Sequence, residues 1–503
     1  MPVEDEAMKN PAWIPTGLAA CLIISLRVAW GTDYHVDSVN GRDGASGAIG
    51  DPLRHVASLA GQLKGGDVVF LASGTYDQPV RLTDRGTPDA PIVIRNAEGH
   101  DPAISGTTWE LDGARHVIIE GLTFRRCPSP AFVFGEDVCD SVLRRCRLID
   151  CPPPARTNLT ERTAWLRAIS APGPGAHRNR IEDCEIQRPY GGYYAVNEGL
   201  NIHEANHHWI VRGNRFSGYM YGLQLGVGAQ GDPPAYILIE SNEFSDCNHA
   251  VHVKTSDNIV RGNHIHDMRH GYRGYGTGVY IRGGSRTVVE NNRIERAEWA
   301  GVRVNGTDHL MRNNVIIHTA VGVWLSSHSY GTAGPGNWVV HNTIADSILP
   351  IWLEGGTQAH VFNNILAVDK RRGVGIFVYG RGMTNPVADW NAAMYKRMAG
   401  DNGQPSARLL GADCNLFFNV TPPDFQYLFE EDASWHRHYR TYGKHNLEAD
   451  PRFIDRENGD LRLRPESPAR AAGRTLPNCP TDLAGMDRPA SRPDLGAFQV
   501  TTE

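Results

Sequence analysis

The sequence predicts an all-β protein, a single-stranded parallel β-helix in which each turn of the chain stacks on the preceding one. Three observations predict this fold: a recurring Asn motif, an alternation of aliphatic residues after each motif, and the length of the chain. The 503 residues exceed what one compact core usually holds, whereas a solenoid grows by adding turns. The composition, 41% hydrophobic and 21% charged, excludes a disordered chain.

The Asn motif recurs in the region from residue 118 to residue 380. Each copy has Asn, any residue and then Ile, Phe or Leu, and the copies begin at Asn214, Asn242, Asn263, Asn292, Asn314, Asn342 and Asn364. Successive copies lie 28, 21, 29, 22, 28 and 22 residues apart. A repeat of about 22 residues suits one turn of a parallel β-helix, with loops in the longer units. We expect the Asn side chains to stack as a structural hydrogen-bonded ladder.

The run that follows each motif is the clearer strand signal. The eight runs begin at Gly199, Gly222, Ala250, Gly278, Gly301, Gly322, Pro350 and Gly375. Their second and fourth residues are aliphatic in every case. An alternation with a period of two places those side chains inside the β-helix and the third and fifth side chains outside. Because stacked turns lie roughly 4.8 Å apart, the outward residues read in order describe one exposed face.

Cationic side chains cluster on this predicted face. The residues that we call the basic patch fall in three consecutive turns: His252, Lys254, Tyr280, Arg282 and Arg303. The alternative is an ordinary solvated face. The chain as a whole has 50 basic and 56 acidic residues, which gives no reason to expect nucleic acid or an anionic membrane as a partner. A charge-based function therefore depends on the patch.

Aromatic side chains continue the face beyond the basic patch. Trp324, Trp352 and Phe377 are predicted to form an exposed stripe on which sugar rings stack, unless long loops cover it. Together the patch and the stripe suit an extended acidic polysaccharide. Further substrate-binding candidates, on this face and on the loop 268–277, are Arg303, Asn305, His203, Glu354, Tyr379 and Tyr275.

These side chains suit β-elimination at a uronic acid. The C5 proton of the sugar becomes acidic once the neighbouring carboxylate is neutralised, after which a base removes the proton and an acid protonates the departing O4. Lys254 is the candidate base, because a like charge such as that of Arg282 favours the neutral amine. Arg282 and Arg303 are candidates to hold the carboxylate. Tyr280 or His252 is the candidate acid, or an alternative base.

Both ends of the chain carry their own signals. Residues 13–30 are mostly apolar, as in a signal peptide or an N-terminal anchor, and residues 52–63 have the pattern of an amphipathic capping helix. We therefore expect a secreted or periplasmic protein without another membrane segment. The predicted divisions are 1–32 (signal or anchor), 33–117 (cap and first coils), 118–380 (repeats), 381–411 (helical or loop insertion, helical over 388–398) and 412–503 (late coils and C-terminal cap).

The nine cysteines fit no zinc framework. Cys127, Cys151 and Cys247 share one repeat position, and Cys146 and Cys184 share another. This register predicts stacked, buried thiols, with a disulfide between Cys127 and Cys151 as an alternative.

Two resemblances add to these predictions. Segments 65–76, 86–94 and 450–461 resemble the secreted right-handed parallel β-helix proteins, many of which act on polysaccharides. Lys254-Thr255-Ser256-Asp257-Asn258, followed one turn later by Ile281-Arg282-Gly283-Gly284, is similar to polysaccharide lyase family six, which contains chondroitinase B and alginate lyases. The resemblance implies Lys254 as the base and Arg282 as the acid or the carboxylate partner.

The resemblance also implies a calcium ion, but the chain departs from the family pattern there. The family's calcium-binding carboxylates precede the Lys, whereas this chain has His249-Ala250-Val251-His252, and Gly283 replaces the family's His after the Arg. The sequence therefore supplies no evident calcium ligands. We predict a monomeric polysaccharide lyase that acts on a uronic-acid polymer. The alternatives are a glycoside hydrolase, a uronate C5-epimerase and a β-helix that only binds carbohydrate.

The hydrolase alternative needs two carboxyl groups about 5–10 Å apart. On the predicted face only Glu204 and Glu354 carry carboxyl groups, and they lie six turns apart, roughly 29 Å at the strand spacing. Loop carboxylates such as Asp257, Asp267 and Asp308 keep the alternative open.

Overall fold

The structure, a computed structural model, describes residues 31–153, 165–188, 197–226, 233–269, 276–328, 331–332, 334–354, 356–368, 375–378, 407–419 and 443–500. Within these residues three long sheets run the length of the molecule, and every pairing inside them is parallel between successive turns. Each turn contributes one strand to each sheet, so the chain is a parallel β-helix. The predicted architecture is confirmed.

The strands of the three sheets have the following bounds. The first sheet contains Asp33–Val36, Val68–Leu71, Ile92–Asn96, Val117–Glu120, Val142–Arg144, Arg180–Glu182, Ile210–Arg212, Leu238–Glu240, Ile259–Arg261, Val288–Glu290, Leu310–Arg312, Trp338–Val340, Gln358–Phe362 and Arg408–Asp413. The second sheet contains Val80–Leu82, Trp109–Leu111, Phe132–Phe134, Leu166–Ala171, Asn197–Ile202, Tyr221–Leu225, His249–Val253, Thr277–Ser285, Ala300–Thr307, Val321–Leu325, Leu349–Leu353 and Ile376–Val378. The third sheet contains Gly74–Tyr76, Pro102–Ser105, Thr123–Arg125, Arg147–Ile149, Glu185–Gln187, Arg215–Ser217, Glu243–Ser245, His264–His266, Arg293–Glu295, Val315–Ile317, Thr343–Ser347, Ile365–Val368, Leu416–Phe418 and Leu447–Glu448. Two antiparallel pairs, Ser327–His328 with Gly331–Thr332 and Phe453–Asp455 with Asp460–Leu463, complete the strands.

A two-residue bend joins the first sheet to the third and carries the Asn ladder. The first residue of the bend has a left-handed backbone conformation, as in Gly262 with a φ of 61° and Asn291 with a φ of 56°. The second residue is the Asn that belongs to the ladder. The backbone N–H and the side-chain Nδ2 of Asn263 both donate to Oδ1 of Asn292, at 3.0 and 2.9 Å. Because the same pair of bonds recurs from Asn214 to Asn446, the ladder fixes each turn directly above its neighbour.

The core lies inside the solenoid and confirms the predicted alternation. The second and fourth residues of the repeated runs are fully buried in one continuous apolar cluster, as Val251, Val253, Val279 and Ile281 show. The predicted stacking of buried thiols is also confirmed. Cys127 and Cys151 are buried without a disulfide, and the backbone N–H of Cys127 contacts the Cys151 sulfur at 3.4 Å.

The predicted N-terminal capping helix is wrong. Residues 52–63 contain only one short 3₁₀ helix, Val56–Leu59. Both ends of the segment are extended because their backbones pair with the first coils, Leu53 with Val36 and Lys64 with Arg85. Between these bridges the chain makes one short turn and is extended again at Ala60, and Val56 and Leu59 cover the end of the core through that turn.

Several predictions concern residues outside the described part of the chain. The apolar segment 13–30 and the insertion segment 388–398 both lie there, so export and the inserted helix stay predictions. Tyr275 and Tyr379 also lie outside the described residues, as does most of the loop 268–277. Among the helices of the described residues, none has the length and apolar character needed to cross a membrane.

Candidate active site

Strand register places Lys254 beside Arg282 on the outer face of the second sheet. Strands His249–Val253 and Thr277–Ser285 pair with His252 opposite Tyr280 and Val253 opposite Ile281. Lys254 and Arg282 are the next residue on each strand. Since Val253 and Ile281 point into the core, alternation directs Lys254 and Arg282 outward. Two residues 28 positions apart in the chain are thus neighbours on adjacent turns.

The Lys254 side chain is half-buried, and its surroundings favour the neutral amine. Burial lowers the pKa of Lys254 most, and the positive charge of Arg282 lowers it further, whereas Glu198 opposes both effects. Removal of an ammonium group from water and a nearby like charge both disfavour protonation. The Lys254 amine therefore stays neutral, and able to accept a proton, at a lower pH than the amine of an exposed lysine.

The residues at the third position of each run stack on one another. The rings of His252 and Tyr280 lie parallel with centroids 5.1 Å apart, and those of Trp324 and Trp352 lie 4.5 Å apart. Between the two pairs, the guanidinium carbon of Arg303 lies 4.7 Å from the Tyr280 centroid and 3.9 Å from the Trp324 centroid. This continuous row is the outer face of the second sheet across these turns.

The prediction that this row is exposed is wrong. His252 is 1% exposed and Trp352 is fully buried, and Tyr280 and Trp324 are buried too. At the spacing of stacked turns, planar side chains cover one another. The Trp residues therefore do not form an open stripe for sugar rings. The side chain of Phe377 lies outside the described part of the structure.

A buried carboxylate, Glu198, lies at the opposite end of this face. It accepts hydrogen bonds from Arg167 Nε at 3.0 Å, from Gln224 Nε2 at 2.6 Å and from Asn201 Nδ2. Burial raises the pKa of Glu198, whereas Arg167 opposes this effect by charge and hydrogen bonding. The sequence analysis missed Glu198 because it directly precedes Gly199, where the repeated run was taken to begin.

Glu198 connects to the basic patch through Gln224. The Gln224 Oε1 atom lies 2.9 Å from Nδ1 of His252. Burial lowers the pKa of His252 well below its usual value, and it lowers the pKa of His249 to about 3. Burial lowers the pKa of His203 to about 4, with smaller contributions from Arg167 and Lys254. These imidazoles are therefore neutral at physiological pH.

Several buried polar atoms on this face have no hydrogen-bond partner among the described residues, and four of them lie on the turns from Asn201 to Lys254. These four are His252 Nε2, His249 Nδ1, His203 Nε2 and Asn201 Oδ1. Buried polar atoms in native proteins nearly always have partners, and exceptions concentrate at functional sites. Their clustering on the turns that lead to Lys254 marks these turns as the candidate active site.

The remaining predicted residues lie beyond Arg303 and bond among themselves. Asn305 is buried and donates from Nδ2 to the Ser326 carbonyl at 2.8 Å, while Ser326 Oγ donates to Asn305 Oδ1 at 3.0 Å. The half-buried Glu354 accepts a hydrogen bond from the backbone N–H of Ser327 at 2.9 Å, and burial raises its pKa. The structure thus gives Asn305 internal partners in place of the exposed position that was predicted.

An exposed tryptophan that the sequence analysis did not identify borders the site. Trp165 is 42% exposed, and its ring is nearly parallel to that of Tyr221, with centroids 6.3 Å apart. Tyr221 in turn contacts His252, with centroids 4.7 Å apart. The repeated motifs begin after Trp165, so no pattern in the sequence marked this residue. The open aromatic surface next to the site is therefore Trp165.

A calcium ion does not fit the described residues at this site. Calcium needs about six to eight oxygen ligands. Near Lys254 the buried carboxylate is that of Glu198, and its oxygens already accept hydrogen bonds from Arg167, Asn201 and Gln224. The preceding strand presents His249 where the resemblance implies a carboxylate. The described donor set suits a cationic site without a divalent ion.

One other group of metal-ligating side chains occurs in the described residues. The ligand atoms of Asp413, Cys414 and His445 lie within 4.8 Å of one another. Both Asp413 oxygens already interact with His445, one with its backbone N–H and one with Nδ1. This group lies near the last coil, several turns away from Lys254, and plays no part in the candidate active site.

Comparisons with known proteins agree with this fold. A family model described as the right-handed beta helix region matches residues 198–389. The chain is a right-handed parallel β-helix. It is similar to the structure of the alginate lyase AlyGC of polysaccharide lyase family six, with 16% identity, a TM-score of 0.56, and coverage of 86% of this chain and 56% of that chain. A mannuronic-acid-specific family six lyase from human gut microbiota has 16% identity and a TM-score of 0.53, over 84% of this chain and 92% of that chain.

A curated relative shares a short stretch of sequence with the β-helix. Pectate lyase PEL9 of Emericella nidulans is 36% identical over 78 residues, which are 15% of this chain and 18% of that protein. The match thus spans less than a fifth of the relative, and the solved structures share the fold at low identity. The predicted resemblance to carbohydrate-active β-helix proteins is confirmed at the level of the fold.

Proposed function

We propose that the protein is a polysaccharide lyase that cleaves a uronic-acid-containing polysaccharide by β-elimination. The observation that carries the proposal is the pairing of Lys254 with Arg282 on adjacent turns, where burial and the neighbouring charge lower the pKa of the lysine. A base and a fixed cation side by side are what the reaction requires at the C5 proton and the carboxylate. The likeness to alginate and pectate lyases supports the same reaction class.

Each step has a candidate residue in this arrangement. Arg282 binds the uronate carboxylate and stabilises the negative charge that develops when C5 loses its proton. The neutral amine of Lys254 takes that proton. The C4–O4 bond then breaks as the C4=C5 double bond forms. Tyr280, which lies two residues before Arg282 on the same face of the strand, donates a proton to the departing O4. Arg303, held between two rings, adds positive charge beyond Tyr280.

The substrate lies along the outer face of the second sheet in this proposal. Arg167 extends the cationic surface toward Trp165, which offers an exposed ring to the apolar face of a sugar. The acidic polymer therefore contacts the stacked turns in order, with its cleaved linkage at Lys254. This orientation replaces the predicted platform of Trp324 and Trp352, because those rings are buried.

Two of the three loop carboxylates that kept hydrolysis open in the sequence are held by arginines. Asp257 makes two bonds to Arg286, each of 2.7 Å, and Asp267 makes two to Arg296. Glu198 and Glu354 lie on strands six turns apart, roughly 29 Å at the strand spacing, whereas a hydrolase needs about 5–10 Å. Proton abstraction by Lys254 would equally begin a C5 epimerisation, but that reaction gives no double bond.

A screen of uronate polymers tests the proposal. Alginate, pectate, chondroitin and dermatan are each incubated with the protein, and the 4,5-unsaturated ends are followed by ultraviolet absorbance. We expect product from at least one polymer and a loss of about 10²- to 10⁴-fold in kcat for Lys254→Ala, the range for proton transfer. Lys64→Ala, which removes an exposed lysine of the N-terminal region, should match the wild type. Absence of unsaturated product from every polymer, or full activity in Lys254→Ala, would refute the proposal.

A further inference from the structure

We propose that Glu198 and Gln224 act as positioning residues which hold His252 in a single tautomer, with its proton on Nδ1 and a lone pair on Nε2. The buried ring then offers an acceptor, and not a donor, to the active site. This inference assigns a role to the two buried residues that the β-elimination scheme does not use. The part that concerns catalysis rests on the proposed function, whereas the tautomer itself does not.

The orientation of the Gln224 amide is the first step of the argument. Its Nε2 atom lies 2.6 Å from Glu198 Oε1, and its Oε1 atom lies 2.9 Å from His252 Nδ1. A carboxylate only accepts hydrogen bonds, so the amide must turn its NH₂ group toward Glu198. The carbonyl oxygen of Gln224 then faces His252. Because that oxygen has no proton to give, Nδ1 of the imidazole must donate.

The charge state of Glu198 is the second step. Arg167, Asn201 and Gln224 all donate to its two oxygens. Three donors around a fully buried carboxyl group, one of them a guanidinium, match an ionised carboxylate and not a carboxylic acid. A proton on Oε1 of Glu198 would make that oxygen a donor, which would reverse the amide and place the lone pair of His252 on Nδ1. The ion pair between Arg167 and Glu198 therefore selects the tautomer of His252, to which Glu198 is linked through Gln224.

The neutral state of His252 is the third step. Burial disfavours an imidazolium most, and the positive charges of Arg282 and Arg303 on the following turns disfavour it further. With one proton held on Nδ1, the Nε2 atom carries a lone pair. This atom is buried and has no partner among the described residues. In the proposed lyase, His252 accordingly has no proton to give at Nε2, which leaves the role of acid to Tyr280.

Nitrogen NMR on the full-length protein tests the tautomer directly. Long-range ¹H–¹⁵N spectra of protein labelled at histidine distinguish protonated from unprotonated ring nitrogens, and loss of one signal set in His252→Gln assigns the ring. At pH 7 we expect a protonated Nδ1 and an unprotonated Nε2. Gln224→Leu should move the proton to Nε2. The matched control Asn201→Leu removes an equally buried amide that also binds Glu198 but not His252, and it should keep the wild-type tautomer.

Two results would overturn the inference: a wild-type His252 that carries its proton on Nε2, or an unchanged tautomer in Gln224→Leu. Should Gln224→Leu fail to fold, Gln224→Met is closer in shape and also removes the acceptor that faces Nδ1–H. The proton of His252 should then move to Nε2 as well, and an unchanged tautomer would contradict the inference.

Activity measurements separate this inference from the proposed function. In an active lyase, Gln224→Leu should lower kcat by about 100-fold, at the lower end of the range for proton transfer. If no polymer yields unsaturated product, the lyase fails while the NMR result still decides the tautomer. If the lyase is active and the tautomer is wrong, only the role of Glu198 and Gln224 is withdrawn.

Discussion

Replacement of Asn292 by alanine tests the ladder that brings Lys254 and Arg282 together. The substitution removes four side-chain hydrogen bonds. Two reach Oδ1 from the backbone N–H and the side chain of Asn263, at 3.0 and 2.9 Å, and two run from Nδ2 to the Val260 carbonyl and to Asn314, at 2.9 and 3.0 Å. The backbone N–H of Asn292 still donates to Asn314.

The expected cost follows from the group left without a partner. The N–H of Asn263 is buried and loses its hydrogen bond, whereas the carbonyl of Val260 stays within the parallel ladder between Val260 and Val289. An orphaned buried polar group costs about 1–3 kcal/mol. We therefore expect Asn292→Ala to lower the free energy of unfolding by about 2 kcal/mol, the middle of the range for one such group. Hydrogen exchange of the Asn263 amide should accelerate as well.

The matched control is the same substitution at the end of the ladder. Asn446 also accepts from the backbone N–H of its neighbour, Asn415, at 2.8 Å, but it is only half-buried. Solvent can replace the lost bond there, so Asn446→Ala should cost about 1 kcal/mol or less. Urea unfolding followed by circular dichroism, with an unchanged m-value, gives both numbers. Equal costs for the two variants would refute the ladder as the source of register.

Three further predictions concern charge and binding. Arg282→Gln removes the like charge beside Lys254, so the pKa of the lysine should rise. The ascending limb of the pH profile of kcat/KM should therefore move to higher pH. An unchanged pH profile would contradict the proposed pairing of Lys254 with Arg282. Burial lowers the pKa of His309 to about 4 in the folded protein, so the unfolded chain binds the proton first and His309 alone should lower the stability by about 3 kcal/mol as the pH drops from about 6.5 to about 4. His309→Asn, which copies Asn337 one turn away, should remove that loss in urea unfolding at the two pH values. Trp165→Ala should raise KM by about 2- to 10-fold, the range for one aromatic contact, with a smaller change in kcat.

The fold was predictable because the ladder and the core depend on residues that repeat. Asn263 and Asn292 hold equivalent positions in the sequence, and so do Val253 and Ile281. A parallel solenoid turns such equivalence along the chain into contact between turns. The neighbourhood of Lys254 and Arg282 followed from the same register. The prediction of the capping helix was wrong because residues 53 and 64 pair with the first coils, and no repeat in the sequence indicates this pairing.

The burial of the site was not predictable from alternation. A period of two tells which side of a strand a residue faces, but exposure depends on what covers that side. His252 faces outward and is nonetheless 1% exposed, because rings on the adjacent turns stack against it. Glu198 and Trp165 escaped notice for a related reason: each precedes the repeated run, and its relation to the patch arises only through side-chain contacts.

The buried outer row also explains how the cationic side chains of the site stay ordered. Arg303 lies between the polar part of the row and its aromatic part, with its guanidinium group over both Tyr280 and Trp324 and its Nε bonded to Ser326 Oγ at 3.1 Å. Trp352 supports Trp324 from the next turn. The tryptophans therefore act through Arg303: they fix its charge beside Tyr280, where the departing oxygen of the substrate would take its proton.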